Sequence, residues 1–84
     1  MNITSHKDPA RVLRNMVLGI DGIPQVKKGT RIIYHEGDYN DNVGFTKVGS
    51  VARELSELGL VHLYQKIIGN SGDIRKFAYM VEVR

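Results

Sequence analysis

The stretch Thr46-Lys47-Val48-Gly49-Ser50-Val51-Ala52-Arg53-Glu54-Leu55-Ser56-Glu57-Leu58-Gly59-Leu60-Val61 decides the fold. Its apolar residues Val48, Val51, Ala52, Leu55 and Leu58 fall at i, i+3, i+4, i+7 and i+10, which gathers them on one face of a helix. Thr46 supplies an N-cap oxygen, and Gly59 supplies the residue that closes such a helix. The spacing therefore predicts a helix over residues 47–58. Gly49 weakens its first turn by roughly 1 kcal/mol relative to alanine. That points either to a close approach at this turn or to a tolerated glycine.

Downstream, residues 60–68 and 76–84 read as strands. Phe77, Tyr79, Val81 and Val83 share one face by the two-residue period, and Val61, Leu63 and Ile67 line another, interrupted by Gln65. Gly69-Asn70-Ser71-Gly72-Asp73 between them is turn chemistry, so the pair is a β-hairpin, Val61 to Ile68 and Phe77 to Val83. Tyr79 is expected in the core beside Phe77. Tyr34 and Tyr64 have two fates open, partial exposure on the sheet as stacking or interface residues, or packing in the core or at an edge, which is the commoner.

Upstream, Asp8-Pro9-Ala10-Arg11 starts a helix, with Asp8 as cap and Pro9 where its missing N–H does no harm. Ala10, Leu13, Met16, Val17 and Ile20 recur at helical spacing, with Arg11 and Arg14 off that stripe, and Gly22 and Pro24 end it. This gives a helix over about residues 9–20. Residues 25–29 are a basic connector, Arg31-Ile32-Ile33-Tyr34-His35 is a short β-branched and aromatic strand, and residues 36–42 form an acidic, turn-rich loop. The order is helix, strand, helix, hairpin. The expected architecture is one α+β domain over residues 1–84, with two main helices on a small three-stranded antiparallel sheet.

Composition bounds the rest. Eighty-four residues leave room for one small core, and there is no cysteine for a disulfide or a thiolate metal site, which favours the reducing cytoplasm. The apolar runs are shorter than a membrane span, and the first residues lack a signal-peptide core. A net charge of +3 permits an anionic partner without demanding one.

The segment Ser50-Val51-Ala52-Arg53-Glu54-Leu55-Ser56-Glu57-Leu58-Gly59-Leu60-Val61, followed by a hairpin with a glycine-rich basic tip, resembles the C-terminal half of winged helix-turn-helix domains. The likeness runs from Lys47 to Arg84. It implies a winged-helix-like fold, a recognition helix entering a DNA groove and a basic wing. The chain departs from that pattern before Lys47. Residues 38–46 lack helical periodicity, so the helix that supports a recognition helix is missing or reduced to a single turn. A second stretch, residues 29–37 together with 59–66, resembles short phage-encoded proteins.

On this reading Lys47, Ser50 and Arg53 of the second helix contact DNA, with Lys66, Arg75 and Lys76 of the hairpin as wing residues and Lys27, Lys28 and Arg31 as a third basic group. Glu54 and Glu57 oppose it, and a mixed-charge solvated face is the competing account of the helix. Hairpin lysines also serve to protect a sheet edge from aggregation. Asp38, Asn40 and Asn42 have calcium-loop spacing, but Val43 and Gly49 stand where the loop needs glycine and glutamate, so a polar turn fits better. His6, His35 and His62 have no zinc spacing, and no nucleophile or phosphate-loop motif is present. The expectation is a DNA-binding regulator acting as a homodimer, without cofactor, metal, catalysis or membrane contact. The alternative is a protein-interaction module or small phage-encoded inhibitor of a host or partner protein.

Overall fold

In a computed structural model, which describes residues 1–20, 22, 25–38, 43–71 and 74–84, helix α1 spans Pro9–Leu18. Asp8 accepts a hydrogen bond from the Arg11 amide at 3.2 Å, and Pro9 occupies the first turn. The helix stops at Gly19, at φ +68°, rather than running to residue 20 and closing at Gly22. The returning chain explains the early stop. Gln25 donates from Nε2 to the Val17 carbonyl and Val26 donates its amide to the Met16 carbonyl, both at 3.0 Å, so the last turn finds its acceptors filled from downstream. Ile20 thus leaves the expected apolar stripe and is exposed. Pro24 lies outside the described residues.

Three antiparallel strands follow: β1 (Arg31–Asp38), β2 (Val61–Ser71) and β3 (Ile74–Val83), in the spatial order β1-β3-β2. The α+β reading therefore holds, with strands longer than the sequence suggests. Glu36, Gly37 and Asp38, expected in the acidic loop, pair with Ala78, Phe77 and Lys76. Gly69, Asn70 and Ser71, expected in the hairpin turn, pair with Lys76, Arg75 and Ile74. The central strand offers backbone partners on both sides, and that outweighs the turn preference of these residues. Residues 39–42 and 72–73 lie outside the described residues.

A bulge between Ile33 and His35 inserts Tyr34 as an extra residue against β3. The bulge turns Tyr34 inward, to 6% exposure, so of the two fates open to this ring it takes core packing. Burial, and after it the neighbouring Tyr79, pushes the Tyr34 hydroxyl above its ordinary pKa of 10.0.

Helix α2 spans Lys47–Glu57. Thr46 Oγ1 accepts from the Gly49 amide at 3.0 Å and donates to the Val43 carbonyl at 2.7 Å, tying the cap to a single 3-10 turn, Val43–Phe45. That turn stands where a supporting helix was expected to be absent or reduced. At the other end, Gly59 donates to Ser56 and Leu60 to Leu55, a Schellman closure with Gly59 at φ +76°. Leu58 caps the helix and is 63% exposed, so the buried stripe ends at Leu55.

Both helices cover one sheet face. Leu13 and Val17 of α1 and Val48, Ala52 and Leu55 of α2 meet Ile32, Tyr34, Val61, Tyr79, Val81 and Val83. Ile3 joins this core because the N-terminal segment lies along the outer edge of β1. Asn2 forms a parallel bridge with Ile33, and the Ile3 amide donates to the Ile33 carbonyl at 3.0 Å. The register keeps Leu63 and Ile67 on the face of Val61, yet both are exposed, because the buried cluster stops short of them. No helix among the described residues is long and apolar enough to cross a membrane.

Candidate nucleic-acid interface

Helices α1 and α2 begin side by side, and a cleft of about 590 Å³ lies between them. Arg11 and Arg14 enter it from α1, Lys47 and Ser50 from α2, with Asp8 and Asn15 at its wall. A recess of about 330 Å³ at the two caps adds Lys7 beside Asp8, Thr46 and Lys47. Among the described residues, four cations thus line the cleft and recess with one carboxylate, and the Oδ1 of that carboxylate caps α1. The N-terminal ends of the two helix dipoles add positive potential at the same place. Arg11, Arg14, Lys47 and Ser50 are all exposed, so a ligand reaches them without opening the core.

Lys47 and Ser50 were expected at such a site. Arg11, Arg14 and Lys7 were not. The signal was there in the three-residue spacing of Arg11 and Arg14, which puts both on one helical face. Pairing that face with α2 needs the tertiary fold.

Arg53 sits elsewhere on α2. Its guanidinium lies over Gly44 of the 3-10 turn, so near that a Cβ on Gly44 would stand 2.5 Å from Nη2. Glu54 and Glu57 are exposed and follow Lys47 and Ser50 by two turns, on the same face. The basic end of α2 is therefore its first turn.

The hairpin cations do not share a surface. Lys66 is opposite Ala78, and Lys76 alternates in phase with Ala78, so both lie on the sheet face away from the helices. Lys76 is also partnered, with Nζ 3.8 Å from Glu36 Oε2. Arg75 has the opposite phase and is exposed.

The connector lies at the far end of the sheet. The Gly29 amide donates to the Val83 carbonyl at 2.7 Å, and Lys28 shares a recess with Gly59, His62, Glu82 and Arg84. Eight residue steps along β3 separate Val83 from Arg75, about 26 Å at the usual rise. Arg31 is neutralised by Glu82, Nε to Oε1 at 3.1 Å. The basic groups read from the sequence therefore do not merge: Lys28 lies at the far end of the sheet from the hairpin, and the hairpin cations are themselves split between two faces. The α1–α2 cleft brings the most cations together.

Among the described residues no group of three or more histidine, aspartate or glutamate side chains is arranged to hold a metal ion. Asn40 and Asn42 of the calcium-like spacing lie outside the described residues. His35 packs its ring against Tyr79, with centroids 5.5 Å apart. The chain matches no protein-family model, no curated protein and no solved structure closely enough to assign a family.

Proposed function

We propose that this protein binds nucleic acid, with duplex DNA as the partner, through the α1–α2 cleft. The observation that carries the reading is the convergence of Lys7, Arg11, Arg14 and Lys47 at two adjacent helix N-termini. Phosphates are held by such cations, and the Ser50 hydroxyl, which donates weakly to the Gly44 carbonyl at 3.5 Å, can exchange that acceptor for a phosphate oxygen. The likeness of residues 47–84 to winged helix-turn-helix domains supports the same role, as does a helix running into a hairpin that carries Arg75. The reading is one of binding, not catalysis, by a regulator working in the reducing cytoplasm, to which the lack of cysteine is suited.

The test is binding to labelled duplex DNA at low salt. The double variant Arg14→Glu/Lys47→Glu should lose affinity at least tenfold, whereas Lys27→Glu/Lys28→Glu should lose less than threefold. Equal losses from both would return the binding to net charge and remove the cleft from it.

A second reading, a protein-interaction module, is favoured by one observation. Leu58, Leu63, Ile67 and Ile68 are exposed apolar side chains on or next to β2.

A further inference from the structure

Strand β2 is an edge. The order β1-β3-β2 leaves the outer side of its 11 residues without a strand partner among the described residues. Edge strands are normally blunted by charge, proline or cover, because an open row of N–H and C=O groups templates pairing. β2 has little of this protection. Its sequence Val61-His62-Leu63-Tyr64-Gln65-Lys66-Ile67-Ile68-Gly69-Asn70-Ser71 holds no proline and one lysine, and Leu63 and Ile67 are 42% and 54% exposed on the face shared with the core. The opposite edge is treated differently. There the Met1–Ile3 segment lies on β1, with Ile33 bonded to the Met1 carbonyl at 2.8 Å and to the Ile3 amide at 3.0 Å.

We infer that β2 pairs with β2 of a second copy of this chain, antiparallel about a two-fold axis at Gln65, to give a continuous six-stranded sheet. The asymmetry of the two edges selects the occupant. With Arg31–Ile33 of β1 covered, pairing of copies along the whole of β1 is obstructed, and β2 on β2 is an isologous contact that closes at two copies instead of growing into a fibre. The side chains fit that axis. On the helical face Leu63 of each copy lies opposite Ile67 of the other, so the exposed apolar pair becomes a four-residue cluster, with Gln65 facing Gln65 at the centre. On the other face Lys66 lies opposite Tyr64, and no like charges meet. The regular ladder ends at the bulge between Ile67 and Gly69, which limits pairing to the stretch that is self-complementary.

The inference concerns assembly and stands apart from the DNA reading, which is scored by affinity and not by mass. Light scattering behind size exclusion should give twice the chain mass. Leu63→Lys/Ile67→Lys should halve that mass with unchanged far-UV circular dichroism. The chain has no cysteine, so Gln65→Cys tests the axis directly, even if the lysine variant fails to fold. Residues facing each other across an antiparallel pair have Cα atoms about 4.5–5.5 Å apart, within disulfide reach. Oxidised Gln65→Cys should run as a covalent dimer. His62→Cys, whose two copies stand about 20 Å apart at the usual strand rise, should not. A monomer at every concentration, open-ended oligomers, or a disulfide at 62 but not at 65 would each overturn the proposal.

Discussion

The carbonyl of Val43 occupies the space that a side chain at Gly49 would need: a Cβ built on Gly49 would overlap that oxygen and the carbon behind it. Thr46 binds the same carbonyl from its hydroxyl at 2.7 Å and from its amide at 3.1 Å. The glycine in the first turn of α2 is thus what lets the 3-10 turn press against the helix, and so what sets the position of Lys47 and Ser50.

Gly49→Ala should therefore destabilise. Helix propensity favours alanine by about 1 kcal/mol, but the obstructing atoms are backbone and do not move aside. Overpacking of this kind costs about 3 kcal/mol, which outweighs the gain. The expected net loss of roughly 2 kcal/mol is a large share of a small domain's stability. Urea unfolding measures it, and a stabilised Gly49→Ala would contradict the contact.

Ile3 provides a second test, of the N-terminal segment. Its side chain is 2% exposed and its amide closes the edge of β1. Ile3→Ala should lower the unfolding free energy by about 2–4 kcal/mol, as truncation of a core residue does. A loss below about 0.5 kcal/mol, typical of surface sites, would mean the segment is not docked.

Tyr34 links pH to stability. Burial raises its folded pKa above the ordinary 10.0, so in alkali the unfolded chain gives up this proton first. Its contribution is whole below about pH 10 and is lost as pH climbs through the raised value. Stability should fall above pH 10, and Tyr34→Phe should make that fall shallower. Equal slopes for the two proteins would show that Tyr34 titrates normally.

Much of this was legible in the sequence. Thr46 and Gly59 mark α2 because capping is local, and the alternation from Phe77 to Val83 marks β3 because a half-buried strand needs it. What was hidden depends on partners distant in the chain. Glu36-Gly37-Asp38 reads as a turn until β3 is beside it. Tyr34 is buried by a bulge that no local pattern announces. Ile3 is too near the end to show any period. Gly49 carried a hint of close approach, but Val43 as the approaching group is a tertiary fact. The site divides in the same way. Lys47 and Ser50 were visible from their place on α2, whereas Arg11 and Arg14 became part of it when α1 was laid alongside. The separation of Lys27 and Lys28 from the hairpin follows from the length of β3.

The central claim, that four cations at the α1–α2 cleft hold phosphates, is tested most directly by the salt dependence of duplex binding. Four neutralised phosphates give a slope of log K against log salt near about −3.6. Arg14→Glu/Lys47→Glu should flatten it to about −1.8 or less. The expected result is the steep slope and its flattening. A slope near zero, or one that the double variant leaves unchanged, would contradict it.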